Sequence, residues 1–463
     1  MILEIAHWQS KEFFVPEKLK AISPIDGRYG NSTIPLSPFF SESGLIRYRL
    51  LIEIEYLIAL SEEKKIYELA HFSKLQIKRF RNIYLKFSSD DAKKIKEIEK
   101  TTNHDVKAIE YFLHGKIKKQ LHPWVHFCLT SEDVNNLAYS MMWKDALEDI
   151  YLPKLILIHK ELKKFAKKYK KLPLLSLTHG QPATPTTFGK ELAVFYKRLL
   201  RQIDQLKTQE FFGKFGGATG TWSAHVVAYP KVNWVSFAEN FVKKLDLKLN
   251  FITTQIEPHD CLSESFHQII RVNNILIDLS RDTWFYISRG LLAQKKVSGE
   301  IGSSTMPHKI NPIQFENAEG NLELANKLLG HLATKLPISR MQRDLTDSTT
   351  IRNQGVAMSH SFLGLNNILS GLDRITVNKI QINAELENHW EVLAEAVQTL
   401  LRKAGKPDAY EKLKSITRGK SVDVETVAEF VSGLNLSEQD TQTLLTLTPS
   451  SYIGLSSELV DKI

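Results

Sequence analysis

The chain has 463 residues, 43% hydrophobic and 24% charged, which is the composition of a soluble globular protein with a large core and, by length, two to four domains. Its 61 basic and 52 acidic residues leave a net charge of +9, compatible with nucleic acid or with small polyanions drawn into a basic cleft. Two cysteines, Cys128 and Cys261, exclude a disulfide framework and CxxC metal spacing, and fit small buried hydrophobes in a reducing, cytoplasmic setting.

No apolar run is long enough to span a membrane: Leu45 to Leu60 is broken by Arg47, Arg49, Glu53 and Glu55. The amino terminus has Glu4 early and no basic opening, so it does not read as a signal peptide. The first ~18 residues read as an extension without an assignable role. Next comes Ser23-Pro-Ile-Asp-Gly-Arg28-Tyr29-Gly30, a turn-forming run that presents an arginine.

Thr102-Asn103-His104-Asp105 and Thr130-Ser131-Glu132-Asp133 each open an amphipathic stretch with a Thr-x-x-Asp capping pattern. A helix N-terminus offers free N–H groups and a positive dipole end, which suits a carboxylate. Without the other motifs, simple capping is the default reading of both segments. A domain boundary is expected near Leu121-His122-Pro123.

From there the pattern is helical nearly throughout. In Glu148 to Tyr169 the apolar Leu162, Phe165, Ala166 and Tyr169 recur at helical spacing, so the lysines around them form a solvated face. The aromatic Phe165 and Tyr169 belong to the apolar face and not to the lysine face, where stacking on bases would require them, and there is no nucleic-acid-binding motif. Thr178-His179-Gly-Gln-Pro-Ala-Thr184 is a polar turn whose histidine is of a type that can donate a proton; alone it would read as a capping or surface residue. Pro185 to Phe212 predicts a helix with Thr184 as N-cap and Pro185 in the first position. Leu262 to Ser288 predicts another.

Gly302-Ser303-Ser304-Thr305-Met306-Pro307-His308-Lys309-Ile310-Asn311-Pro312 cannot be the interior of a helix or central strand, with Gly and Pro at its ends. The stretch from about Lys295 to Asn311 is long for a connector, and such loops are functional or disordered. Asn311-Pro312 can cap a further helix running through Phe315, Leu322, Leu324 and Leu328. Arg343 to Arg352 sets two arginines around hydroxyls on a loop, which is chemistry for a phosphate. A second boundary is expected near Asn366 to Leu372, and the remainder, with Gly371, Gly405 and an Arg418-Gly-Lys420 turn, reads as a small helical domain.

Apolar residues on more than one helix side, as in Ile275-Leu276-Ile277 and Phe211-Phe212, argue for burial against further helices, including those of other subunits. The expectation is an all-α chain with domains 1–122, 123–368 and 369–463, the middle one a bundle. The histidines lack HExxH or paired metal spacing, and there is no P-loop or GxGxxG, so neither metal nor organic cofactor is expected.

The run Ser303-Ser304-Thr-Met-Pro-His-Lys309-Ile310-Asn311-Pro312 resembles the signature of the fumarase/aspartase superfamily, whose members eliminate fumarate from a succinyl compound. Further motifs are Ser23-Pro-Ile-Asp-Gly-Arg-Tyr29, Lys100-Thr-Thr-Asn-His-Asp-Val-Lys-Ala-Ile-Glu-Tyr-Phe112, Thr178-His-Gly-Gln-Pro-Ala-Thr184, Thr254-Gln-Ile-Glu-Pro-His-Asp260 and Gln342-Arg-Asp-Leu-Thr-Asp-Ser348. Together they resemble the adenylosuccinate lyase family, in its longer bacterial form.

That resemblance implies the three-domain superfamily fold and a homotetramer with shared sites. It also implies reversible anti β-elimination of fumarate from adenylosuccinate, giving AMP, and from the succinyl-carboxamide ribotide of the purine pathway. Such chemistry needs a base, an acid and donors for a doubly charged aci-carboxylate. In an anti elimination, acid and base lie on opposite faces and can come from distant segments.

By resemblance, Ser303 is the base, helped by Lys309, His179 is the acid and His104 assists. Thr130, Ser131, Gln255, Ser304, Lys309 and Asn311 would bind the succinyl carboxylates. Arg28, Tyr29, Arg343, Ser348 and Arg352 would hold the phosphate. Asn103, Asp105 and Asn317 would make further contacts, with Ile310, Thr349, Thr350 and Ile351 beside them; Ile310 stands where valine is expected.

Two rival readings remain. A sister lyase acting on argininosuccinate fits poorly with the Arg343–Arg352 segment, since that substrate has no phosphate. A non-catalytic helical scaffold or nucleic-acid binder draws support from the net charge alone.

Overall fold

A computed structural model describes residues 18–295, 299, 306, 308–407, 411 and 423–463. The amino-terminal residues 1–17 and the expected Arg418-Gly-Lys420 turn lie outside the described residues. Long helices dominate: α1 Glu42–Glu62, α2 Ser131–Ala146, α3 Leu152–Lys168, α4 Phe188–Lys207, α5 Asp260–Ser288, α6 Ile313–Lys335 and α7 Gln354–Arg374. The described strands form three short pairs, β1 Pro173–Thr178 with β2 Gln181–Thr187, β3 Phe212–Gly213 with β4 Lys248–Leu249, and β5 Leu292–Gln294 with β6 Ile375–Val377. The all-α expectation therefore holds, and α3, α5 and α6 lie where the apolar spacing predicts them. Among the described residues no helix is long and apolar enough to cross a membrane.

One predicted helix start is wrong. Pro185 sits in β2, and α4 begins at Phe188 instead. The turn His179-Gly180, with φ of 54° and 72°, has both central residues left-handed, and this folds β1 onto β2 with Thr178 opposite Gln181. Each strand of a two-stranded ribbon has an open edge, so Pro182 and Pro185 remove no ladder bond that matters.

The chain divides into two compact units. The first comprises the described residues within 1–155, 202–274 and 320–365. Here α1 is buried on nearly every side, and Arg49 and Glu53 are buried with its apolar residues. Trp143 on α2 is fully buried, stands edge-on to Phe266 at 4.6 Å and donates its indole N–H to Ser265 Oγ at 2.8 Å. Truncating such a residue costs about 3–5 kcal/mol.

The second unit comprises the described residues within 156–201, 275–319 and 366–463. Gly189 opens α4 against the end of α3, where a Cβ would lie 2.4 Å from Ala166 O. Leu175 of β1 packs with Leu386 and Val392, and the carboxy-terminal helices gather around Val397, Leu401, Val431 and Leu444.

Candidate active site

In the first unit, α2 begins as its capping pattern predicts. Thr130 is extended at φ −107° and ψ 156°, and Asp133 Oδ2 accepts the Thr130 N–H at 2.8 Å. Asp133 does more than cap. Its Oδ1 accepts Lys214 Nζ at 2.6 Å and the Gly216 N–H at 2.9 Å, and its Oδ2 takes the Gly217 N–H at 3.1 Å. The Asn136 side chain exchanges two bonds with the Lys214 backbone, at 2.7 and 2.9 Å. The first turn of α2 is thus fastened to the loop Lys214–Gly220.

Gly220 continues the connection. Its φ of +73° and a Cβ position 2.5 Å from Thr253 O admit only glycine, so the backbones close tightly there. Gln255, two residues beyond Thr253, donates to Ala218 O at 3.0 Å and accepts from Arg343 Nη1 at 3.1 Å. Arg343 Nη2 in turn lies 3.2 Å from Glu132 Oε2, back on α2. This closed ring brings Thr130, Ser131, Gln255 and Arg343 together.

Beside Arg343, Glu132, His259 and Asp347 are 4%, 2% and 5% exposed, with one ligand-type atom of each within 4.8 Å of the others. Burial pushes the Glu132 carboxyl up to about 8, with Arg343 opposing and Asp347 adding to the rise. Burial, reinforced by Arg343, drops the His259 imidazole to about 4, so it is neutral at pH 7. The guanidinium already supplies this group with its cation.

A second cluster surrounds His104, and here the expected cap is displaced. Thr102 is the last residue of the helix Ser89–Thr102, Asn103 turns left-handed at φ 49°, and His104 itself caps the helix Asp105–His114. Its Nδ1 accepts the Lys107 N–H at 3.1 Å. A neutral His104 therefore carries its proton on Nε2.

Asp105 accepts Arg49 Nη2 at 2.8 Å and Arg352 Nη2 at 3.1 Å. Burial works to raise its pKa, but Arg49, the Val106 N–H and Arg352 outweigh this and hold it below the usual carboxylate range. Arg352 also reaches Glu42 at 3.2 Å, beside a cleft lined by Ser41, Tyr139, Met142 and Gln354.

The segment from Arg343 to Arg352 is not all loop. Thr346–Ile351 forms a short helix started by Asp344, whose carboxylate accepts the Thr346 N–H at 2.7 Å. Ser348 and Thr350 are half-buried, Thr349 is exposed and the Ile351 side chain is buried. Arg28 and Tyr29 sit in a local turn closed by the Tyr29 N–H on Pro24 O at 2.8 Å, with the guanidinium 5.9 Å from the ring centroid.

In the second unit, His179 is exposed at the tip of the β1–β2 turn. A left-handed non-glycine residue there costs conformational energy, and such positions cluster at functional sites. Lys309 donates its backbone N–H to Met306 O at 3.0 Å, and Ile310 O accepts Gln294 Nε2 at 3.1 Å. Asn311 is half-buried just ahead of α6, and Asn317 is exposed on it. Ser303 and Ser304 lie outside the described residues.

Residue patterns alone missed Arg49, Glu132, Asp133, Lys214, His259 and Asp347 as parts of these clusters. A visible signal existed for Arg49: a charge inside an otherwise apolar helical run is either a break or a buried partner.

The chain matches two family models, one described as lyase over residues 27–325 and one as adenylosuccinate lyase C-terminal over residues 339–453. It is 49% identical over 450 residues to an adenylosuccinate lyase of Buchnera aphidicola subsp. Schizaphis graminum, covering 96% of this chain and 99% of that one. Adenylosuccinate lyases of Vibrio cholerae and Escherichia coli K12 are 48% and 47% identical at the same coverage. Among solved structures, a fumarate lyase from Mesorhizobium sp. BNC1 superposes with a TM-score of 0.75 at 17% identity, covering 93% of this chain and 97% of that one. A 3-carboxy-cis,cis-muconate lactonizing enzyme from Pseudomonas putida gives 0.73 at 20% identity, covering 93% and 96%. At such identities these two likenesses concern the fold alone.

Proposed function

The chain belongs to the adenylosuccinate lyase family, and from that premise we propose that it catalyses the reversible anti β-elimination of fumarate from adenylosuccinate, giving AMP. The succinyl-carboxamide ribotide of purine biosynthesis is its second substrate, giving the carboxamide ribotide. The observation that carries this reading is the Arg352–Asp105 contact at 3.1 Å. It joins a phosphate-type arginine to the start of the helix capped by His104.

In this reading Ser303 removes the proton from the carbon beside a succinyl carboxylate. Lys309 and nearby N–H groups stabilise the alkoxide. His179 protonates the departing purine nitrogen; at a hairpin tip its ring is open to substrate. His104 keeps its Nε2–H free to hold the substrate, because Nδ1 is committed to the Lys107 N–H.

Thr130, Ser131, Gln255, Ser304, Lys309 and Asn311 receive the succinyl carboxylates and the developing aci-carboxylate. The N-terminus of α2 contributes its dipole and open N–H groups. Arg28, Tyr29, Arg343, Ser348 and Arg352 hold the phosphate, with Asn103, Asp105, Ile310, Asn317, Thr349, Thr350 and Ile351 around the substrate. The working form is a cytoplasmic homotetramer whose sites are shared between subunits.

The test compares adenylosuccinate with its dephosphorylated nucleoside, succinyladenosine. Preferred turnover of the phosphorylated compound, with AMP and fumarate formed in equal amounts, supports the assignment. Equal kcat/KM for both compounds would contradict the phosphate site. Turnover of argininosuccinate instead would move the chain's activity to a sister lyase.

A further inference from the structure

We propose that Glu42 is a displaceable counter-ion of Arg352, expelled by the nucleotide phosphate and then held by Lys96. Glu42 and Lys96 would thereby tune phosphate affinity from opposite sides. This deepens the reading of Arg352 as a phosphate-binding residue and rests on it. Glu42 and Lys96 are positioning residues, acting through Arg352.

The two carboxylates on Arg352 are not equivalent. Its Nη2 donates to Asp105 Oδ2 at 3.1 Å and its Nη1 to Glu42 Oε2 at 3.2 Å. Asp105 is fastened from other sides as well. The same Oδ2 accepts Arg49 Nη2 at 2.8 Å, and Oδ1 accepts the Val106 N–H at 2.9 Å. The Arg49 side chain is 1% exposed, and its Nε is committed to Asn135 Oδ1 at 2.8 Å. Parting Asp105 from Arg49 would leave a buried charge unpaired, which is costly. Asp105 therefore stays and keeps Arg352 in place.

Glu42 is not held in this way. It is the first residue of α1, and the Arg352 and Glu42 side chains are 39% and 43% exposed. Both line the same cleft, so a ligand entering it reaches their contact. An exposed ion pair of this kind is weak. The other Glu42 oxygen, Oε1, already accepts Lys96 Nζ at 3.3 Å, from the helix Ser89–Thr102. Lys96 also pairs with Glu99 at 2.7 Å on its own helix, so its place does not depend on Arg352.

The charges balance in pairs, Arg49 with Asp105 and Arg352 with Glu42. A phosphate approaching Arg352 thus meets a guanidinium that is already neutralised. With close to two negative charges and more acceptor oxygens than a carboxylate, it can take the Nη1 position from Glu42. The expelled carboxylate keeps Lys96. A single carboxylate, such as those of the succinyl group, would replace like with like and gain little. Glu42 in this way favours the phosphate end of the substrate at Arg352.

The test is the Kd of AMP, by calorimetry, for wild type, Glu42→Gln, Lys96→Met and the double variant, with adenosine as the phosphate-free control. Expected is about two- to fivefold tighter AMP binding in Glu42→Gln, the scale of an exposed ion pair. Lys96→Met should bind AMP more weakly, because Glu42 is then left to Arg352. The double variant should match Glu42→Gln, since Lys96 acts only through Glu42. Adenosine should bind all of them alike.

A merely structural role would weaken binding in both single variants and would not give opposite signs. AMP affinity unchanged or reduced in Glu42→Gln, a Lys96→Met loss that persists in the double variant, or an equal change for adenosine would overturn the proposal. Arg352→Gln separates this failure from that of the underlying reading. If it weakens AMP binding while Glu42→Gln changes nothing, the counter-ion proposal alone fails. If it too leaves AMP affinity unchanged, the phosphate reading of Arg352 fails as well.

Discussion

Asp133 and Lys214 form an ion pair at 2.6 Å in which neither side chain reaches solvent. They are 81 residues apart in the chain, and the same carboxylate caps α2 and gathers the Gly216 and Gly217 N–H groups. A buried ion pair is poor evidence of net stabilisation, since desolvation offsets much of the attraction. What it supplies here is location: it fixes the N-terminus of α2 against the loop to which Gln255 is bonded.

Breaking the pair from one side should therefore be costly. Lys214→Met leaves Asp133 buried without its cation and should lower stability by about 3–5 kcal/mol. Pairing it with Asp133→Asn should recover part of that loss, because no uncompensated charge remains. Chemical denaturation of the single and double variants checks this; a double variant as unstable as the sum of the singles would contradict it.

His104 combines a capping and a catalytic assignment, and substitution should separate them. Asparagine keeps a cap acceptor for the Lys107 N–H but loses the ring, so His104→Asn should hold its melting temperature and lose turnover. His104→Ala should lose turnover and in addition about 1 kcal/mol of stability. Equal turnover in wild type and His104→Asn would leave His104 as a cap only.

The Asp105 cluster sets an acid limit. Its folded pKa lies below its unfolded value of about 3.9. The pairing with Arg49 and Arg352 therefore stabilises the fold above about pH 4 and is lost as pH falls through the lower, folded value. Denaturation curves between pH 6 and 2 should show Asp105→Asn less stable than wild type at pH 6 and less sensitive to acid. An identical acid limb in both proteins would show that Asp105 is not paired.

Gly220 tests the close approach of the loop to Thr253. An added Cβ would meet Thr253 O at 2.5 Å and Thr254 O at 2.8 Å, on a backbone at φ +73°. Gly220→Ala should cost at least about 1–3 kcal/mol and raise KM by displacing Gln255. Full stability with unchanged KM would contradict the tight contact.

Much of the fold was legible because periodicity reports burial. The apolar spacing marked α3, α5 and α6, and Thr130 with Asp133 marked the start of α2. The β1–β2 hairpin was not legible. Thr184-Pro185 imitates an N-cap followed by a first-position proline, and only the pairing of Thr178 with Gln181 distinguishes the two.

The candidate site divides in the same way. Motif residues such as His104 and Arg343 stood out by chemical type and spacing, and Gln255 only through the family resemblance. Arg49, Lys214, His259 and Asp347 did not, because each takes its meaning from a partner far away in sequence. Local pattern cannot report that His259 lies beside Glu132 or that Arg49 reaches Asp105.

The most direct test of the central claim follows the ultraviolet absorbance of adenylosuccinate mixed with the purified wild type, Ser303→Ala and His179→Ala. The account predicts conversion to AMP and fumarate by the wild type and near-complete loss in both variants. Turnover surviving in Ser303→Ala would place the base elsewhere, and a well-folded wild type that leaves adenylosuccinate untouched would contradict the assignment itself.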